Sequence, residues 1–109
     1  MLVVQVVPHG QVDALKLLRA RLRGATTWSW ANKRKTRLKH AARPKGGFIE
    51  VGGADGVLVA RMRPQTPEDL FYLAEKFTGR MIAWFGADLL AINMQFMPEP
   101  ATSRPRRRR

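Results

Sequence analysis

The densest group of chemically active side chains lies in residues 33–40, which read KRKTRLKH. Lysine and arginine side chains bind phosphate oxygens, and the planar arginine fork holds two of them at once. Such contacts position a nucleic acid without reading its base sequence. We therefore predict a phosphate-binding basic loop over residues 31–47, suited to filling the deep groove of an RNA helix or bridging two strands. Its candidate binding residues are Lys33, Arg34, Lys35, Arg37, Lys39, His40, Arg43 and Lys45.

The basic loop belongs to a longer stretch without acidic residues. Between Asp13 and Glu50 the chain has eleven lysines and arginines and no carboxylate side chain. This concentration of positive charge indicates a polyanionic partner, because like charges repel one another where no counter-charge is present. The alternatives for such a run are a nuclear-localisation signal and a membrane-surface contact. A second basic run closes the chain with Arg104, Arg106, Arg107, Arg108 and Arg109.

Two tryptophans directly precede the basic loop. Trp28 and Trp30 lie two residues apart, so on a strand both rings project to the same side. They are either core residues or a platform on which unpaired bases stack at the mouth of the loop. The sequence leaves both alternatives open.

Alternation along the later strands predicts a second basic surface. If Leu58, Ala60 and Met62 face a core, Arg61 and Arg63 face away from it. Phe48, in the strand before, lies on the same outward side. Such a face suits RNA, since guanidinium groups bind phosphates and an aromatic ring stacks an unpaired base. The alternatives are a solvated sheet face and a dimer interface. Arg37 and Lys39 complete the outward set.

Catalytic and metal-binding chemistry has little support. The chain has no cysteine, and its two histidines, two serines and eight acidic residues are dispersed. No pair of them has the spacing of a metal site or an acid–base couple. The glycine-rich residues 52–56 connect two strands, which predicts a hairpin rather than a phosphate-binding loop. We therefore expect a protein that is not an enzyme and that binds no metal or cofactor.

Length and composition predict one folded domain with charged appendages. The chain has 109 residues, a net charge of +12 and an ordinary hydrophobic share of 45%. We expect a domain over residues 1–97 and a basic tail over residues 98–109. No apolar run approaches the ~18 residues of a membrane span. The N-terminus lacks the features of a signal peptide, so we expect a cytoplasmic protein. An excess of arginine over lysine would suit a thermophile.

Hydrophobic periodicity predicts the elements that position these residues. It indicates a strand at 2–7, a helix at 12–23, a hairpin at 48–63, a helix after the Thr66 N-cap and a strand at 89–96. Residues 26–40 form either one strand or two. The order is β-α-β-β-β-α-β, an α+β two-layer sandwich with both helices on one face of a mostly antiparallel sheet. The inward residues are Ile49, Val51, Leu58, Ala60, Met62, Leu90, Ile92 and Met94.

Part of this pattern resembles the Alu-domain RNA-binding subunits of the signal recognition particle. The similar segments are Thr36–His40, the hairpin around residues 55–59 and the helix over residues 67–82. They cover roughly half of the chain. The resemblance implies an α-β-β-β-α core with a basic sheet surface that binds RNA, to which this chain adds a first and a last strand. The element order is also similar to that of the small dimerising subunit of the tRNA-threonylcarbamoylation complex.

The charge and the expected scaffold together predict a non-catalytic RNA-binding subunit of a ribonucleoprotein. A ribosomal protein and a signal-recognition-particle-like component both fit, with a structured, stable RNA as partner and other subunits beside it. One alternative is a protein–protein adaptor that forms a homodimer or heterodimer through a sheet edge or the open face. Another is an architectural DNA-binding protein, because phosphate contacts alone do not separate DNA from RNA. We expect no membrane partner.

Overall fold

The fold is given by a computed structural model, which describes residues 1–98 of the 109-residue chain. Two helices and one six-stranded antiparallel sheet confirm the predicted α+β class. In chain order the elements are β1 (Leu2–Pro8), α1 (Ala14–Leu22), β2 (Trp28–Trp30), β3 (Arg37–His40), β4 (Gly47–Ala54), β5 (Val57–Pro64), α2 (Pro67–Phe85) and β6 (Leu89–Phe96), with a 3-10 turn at Gly86–Asp88.

The strand order places the basic loop at one side of the sheet. It runs β2-β3-β4-β5-β1-β6, and each neighbouring pair is antiparallel. The two edge strands are therefore β2, which leads into the basic loop, and β6, which ends the described part of the chain. Five strand spacings separate these two edges, a distance of ~24 Å.

Both helices begin where side chains satisfy the free N–H groups of the first turn. The Asp13 carboxylate accepts two of these N–H groups in α1. At the start of α2, Thr66 Oγ1 accepts the N–H of Asp69 at 3.1 Å, and Pro67 occupies the first helical position. These are the N-terminal signals that helix starts favour. The predicted start of α2 is thereby confirmed.

The core lies between the two helices and one face of the sheet. Leu18 of α1 and Phe77 of α2 are both fully buried there. Burial of apolar surface at about 25 cal/mol per Å² is the main term that holds the two layers together. The inward direction predicted for five residues of β4 and β5 is confirmed, since all of them are buried: Ile49, Val51, Leu58, Ala60 and Met62.

The prediction for β6 is wrong for two of its three residues. Leu90 is 72% exposed and Met94 is 48% exposed, while Ile92 is partly buried against the core. The alternation of β6 is correct, because Ile92 and Met94 pair with the buried Val6 and Val4 of β1. They point to the helix side of the sheet, but β6 is the edge strand and α2 does not cover it.

The residues between the helices form four strands rather than the three expected. Residues 26–40 are two strands, β2 and β3, so the second of the two alternatives for this segment is correct. Between its helices the chain therefore has one strand more than the α-β-β-β-α core implied by the resemblance. The β4–β5 connection is also shorter than expected, because only Asp55 and Gly56, both with positive φ, lie outside the strands.

Candidate nucleic-acid interface

The basic loop begins as a hairpin, formed by β2, β3 and residues 31–36, which we call the basic hairpin. One side chain organises its turn. Asn32 Oδ1 accepts the N–H groups of Thr36 and Arg37, each at 3.1 Å, and its Nδ2 donates to Thr36 Oγ1 at 2.8 Å. Lys35 takes a left-handed conformation with a φ of 59°, as the reversal of the chain requires. The turn is therefore held by hydrogen bonds before any ligand arrives.

Three consecutive cations stand at the tip of the basic hairpin. Lys33, Arg34 and Lys35 are all exposed, and no carboxylate among residues 1–98 pairs with them. Arg19 of α1 donates to the backbone carbonyl of Lys35 at 3.3 Å, which brings a fourth cation to the tip. Sequence reasoning missed the roles of Asn32 and Arg19. The Asn32–Thr36 spacing next to a turn was the available signal for the first.

The open face of the sheet, away from the helices, carries the second set of predicted binding residues. A cross-strand row joins Arg37 of β3, Glu50 of β4 and Arg61 of β5, and Phe48 lies opposite Arg63. Arg37, Lys39 and Arg61 are exposed, whereas Phe48 and Arg63 are half-buried. The structure therefore brings all five predicted residues of this face together, Lys39 among them on β3.

Glu50 lies in the middle of this basic face and reduces its charge. Its Oε1 accepts from Nε of Arg63 at 2.8 Å, and its Oε2 lies 4.0 Å from Arg37. The Arg37 guanidinium also lies over the Phe48 ring, 4.6 Å from its centroid. One side of the ring is thus already covered by a cation–π contact. An incoming base on that side meets the guanidinium plane of Arg37 before it meets the ring.

Trp28 is not a stacking residue, so the core alternative is correct for it. The side chain is 2% exposed and packs edge-on against His40, at 4.7 Å between ring centroids, and against Phe77, at 6.3 Å. A ring buried on the helix side of the sheet has no face to offer a base. Trp30 projects to the same side and is partly buried against the core.

His40 is also wrongly predicted as a phosphate contact. It is 5% exposed and lies edge-on between the rings of Trp28 and Tyr72. Its Nδ1 accepts the N–H of Ala42 at 3.0 Å. Burial, followed by the positive charges of Lys76 and Arg80, lowers the pKa of His40 below its ordinary value of 6.5. The imidazole is therefore neutral near pH 7 and supplies no charge to a polyanion.

Arg43 has a structural partner, which removes it from the free cations of the basic loop. Its Nη1 donates to Oδ1 of Asp69 at 2.9 Å, and its guanidinium lies 4.6 Å from the Tyr72 ring centroid. Asp69 is 6% exposed, and Thr66 donates to its other oxygen at 2.9 Å. Arg43 thus anchors the end of the loop to α2. The neighbouring Lys45 is exposed and has no such partner among residues 1–98.

A further basic cleft, which sequence reasoning missed, lies between the ends of the two helices. Arg21 and Arg80 place their guanidinium carbons 5.3 Å and 5.8 Å from the Trp84 ring centroid. The cleft has a volume of about 300 Å³, and residues 24–27 form another part of its wall. No carboxylate among the described residues pairs with either arginine. The four-residue spacing of Arg80 and Trp84 on α2 was the signal available for this contact.

The tail candidates Arg104, Arg106, Arg107, Arg108 and Arg109 lie outside the described residues. Within residues 1–98, no three histidine or acidic side chains converge on a point where a metal ion would bind. Neither helix in the same range combines the length and apolar composition of a bilayer span. Comparison with protein-family models, with curated proteins and with solved structures finds no significant match.

Proposed function

We propose that the protein is a non-catalytic RNA-binding subunit of a ribonucleoprotein, either a ribosomal protein or a signal-recognition-particle-like component. One observation carries the proposal. Lys33, Arg34 and Lys35 stand together on a turn braced by Asn32, exposed and without a carboxylate partner in the described chain. Three adjacent like charges on a rigid turn are unfavourable for the free protein and favourable beside phosphates.

The open sheet face supports the same partner. Arg37, Lys39 and Arg61 are exposed on it. A flat surface of cations with an aromatic ring fits the shallow groove and unpaired bases of structured RNA better than it fits the major groove of DNA. The basic hairpin then contacts the RNA backbone from the side, while the open face docks the domain on it.

Measuring RNA affinity across a range of salt concentrations tests how many of the basic residues contact phosphates. On the basic hairpin and the open face, the exposed cations without acidic partners in the described chain are Lys33, Arg34, Lys35, Lys39 and Arg61. If each contacts one phosphate, log affinity falls against log salt with a slope of about −4. A slope near zero contradicts the proposal.

A triple variant locates the contact on the basic hairpin. We expect K33A/R34A/K35A to weaken RNA binding about tenfold or more at ~0.1 M salt and to reduce the slope by about 3, because three phosphate contacts are lost. The matched control K16A/R23A/K76A removes the same charge from exposed positions on the helices and directly after α1. We expect it to change the slope by less than about 1. Equal losses in both variants contradict a specific role of the hairpin.

Two experiments determine which class of nucleic acid the protein binds: competition between RNA and DNA, and isolation of the native protein with its bound nucleic acid. We expect a structured RNA to displace a bound RNA probe at lower concentration than duplex DNA of the same length. Equal competition by duplex DNA overturns the RNA assignment in favour of an architectural DNA-binding protein. When the native protein is isolated and its bound nucleic acid is sequenced, we expect one stable RNA to dominate.

A further inference from the structure

Several large apolar side chains are left exposed on α2 and at the β6 edge of the sheet. Among residues 1–98 they belong to α2, to β6 and to the residue after β6. A groove of about 340 Å³ between the two elements is lined by Phe71, Ala74, Thr78 and Gly79 of α2 and by Met94 of β6. Exposed apolar area this concentrated marks an interaction surface. The exposed side chains are Phe71, Ile82, Leu90, Met94, Phe96 and Met97.

The free backbone N–H and C=O groups of β6 point towards the same edge of the sheet. Met1 and Met97 exchange both of their backbone hydrogen bonds, at 2.7 Å and 2.8 Å. Antiparallel pairs alternate between bonded and non-bonded positions. The N–H and C=O groups of Ile92, Met94 and Phe96 therefore point away from β1, towards the free edge. In the described chain no strand pairs with that edge.

The charge distribution separates this edge from the rest of the molecule. The strand β6 reads LLAINMQF and has no charged side chain, in a chain whose net charge is +12. On α2 the cations lie on the opposite flank, where Lys76 and Arg80 act on the buried His40 of β3. The flank towards β6 carries Phe71 and Thr78, with Glu75 as the one charged residue in the groove.

We propose that β6 and the adjacent flank of α2 bind a second copy of this chain, through antiparallel β6–β6 pairing about a two-fold axis. The free edge of β6 itself indicates which partner binds there. An antiparallel strand edge is self-complementary, so two copies satisfy each other's free N–H and C=O groups. A second copy also carries a net charge of +12, and β6, which has no charged side chain, adds no like-charge repulsion of its own when two such chains approach.

The outward direction of even-numbered residues restricts the possible registers. Bonded pairs must join Ile92, Met94 or Phe96 with residues of the same set in the second copy. A register that uses seven of the eight strand residues places Asn93 on the axis and pairs Ile92 with Met94 of the second copy. The exposed apolar side chains of both edges then lie together on the helix side, where the two α2 flanks close over them.

The dimer has a consequence for the basic hairpins. Each hairpin lies at the sheet edge opposite β6, so dimerisation places the two hairpins at the outer ends of one continuous sheet. Eleven strand spacings of ~4.8 Å put them roughly 50 Å apart. Because the interface does not use the hairpins, the dimer forms with or without nucleic acid and stands independently of the proposed RNA binding.

Sedimentation of nuclease-treated protein tests the dimer directly. The chain has a mass of 12.4 kDa, and we expect a particle of twice that mass at tens of micromolar in high salt. L90K and F96K each place a charge on an exposed edge position, and we expect both to sediment as folded monomers. The control S29K places the same charge on the exposed residue of the opposite edge strand β2 and remains dimeric. A monomeric native protein, or dimeric L90K and F96K variants, overturns the proposal.

A cysteine crosslink tests the register. The chain contains no cysteine, so N93C introduces the only thiol. Residues directly opposite in an antiparallel pair have Cβ atoms ~4.5–5.5 Å apart, close enough for a disulfide with small adjustment. We expect N93C to form a covalent dimer on mild oxidation and S29C to stay monomeric on a denaturing gel. Equal crosslinking of the two variants overturns the register.

Discussion

Nη1 of Arg43 donates to Oδ1 of Asp69 across 2.9 Å, and this contact joins the end of the basic loop to the first turn of α2. The carboxylate also accepts from Thr66, whose hydroxyl caps the same helix. A residue expected to bind phosphate is therefore committed to a carboxylate of its own chain. A cation that anchors the fold can be distinguished from one that is free to bind phosphate by measuring how its removal changes the stability of the protein.

We expect substitutions of Arg43 and of the nearby Lys45 to have different effects on the free energy of unfolding. R43A leaves the nearly buried Asp69 without its cation, and we expect a loss of about 1.5–3 kcal/mol in the free energy of unfolding. K45A removes an exposed cation, and we expect a stability change within about 0.5 kcal/mol. Urea unfolding of both variants measures the difference. An R43A variant as stable as K45A contradicts the anchoring role.

His40 makes the stability of the protein depend on pH. Burial and the nearby cations lower its pKa in the folded state below the ordinary 6.5. As the pH falls through 6.5, the unfolded chain takes up a proton that the folded chain resists, so stability decreases until the folded pKa is passed. Unfolding of the wild type and of H40Q, from about pH 8 to about pH 5, isolates this effect. We expect the pH slope of stability to be smaller in H40Q. Equal slopes contradict the assignment to His40.

Local signals made most of the elements predictable. The Thr66 N-cap followed by Pro67 fixes where α2 begins, and the alternation around Leu58 identifies which side of β5 faces the core. Both signals depend on neighbours a few residues away. Tertiary context does not alter them, so they can be read from the sequence.

The misassigned site residues depend on neighbours far away in the chain. His40 lies in a run of cations, yet it is buried because the Tyr72 ring of α2 packs against it. Leu90 and Met94 alternate like core residues, yet they are exposed because β6 is an edge strand. The strand order that produces both results is not encoded in periodicity. The cation runs in the sequence therefore did not separate exposed residues from buried ones.

Gly47 is required where β4 begins. Its φ is 97°, and a Cβ atom at this position would collide with the backbone carbonyl of Arg63 on β5. We expect G47A to lower the free energy of unfolding by about 2 kcal/mol or more, through backbone strain and the displaced strand pair. Gly52 lies on the same strand, and a Cβ atom there would meet no atom within 4 Å. G52A is the matched control, and we expect thermal melts to give a clearly lower melting temperature for G47A than for G52A. Similar melting temperatures contradict the close approach at Gly47.

The basic cleft around Trp84 is expected to contribute to RNA binding. Arg80 lies over the Trp84 ring, whereas Lys76, one turn earlier on α2, lies over Tyr72 instead. Each of R80Q and K76Q removes one exposed positive charge from the same helix. If the cleft holds a phosphate, R80Q loses a charge-assisted contact, and we expect roughly fivefold weaker RNA binding from the ~1 kcal/mol that it supplies. We expect K76Q to bind RNA within about twofold of the wild type, since it loses only long-range attraction. Fluorescence anisotropy with one labelled RNA compares the two, and equal affinities place the RNA contact elsewhere on the protein.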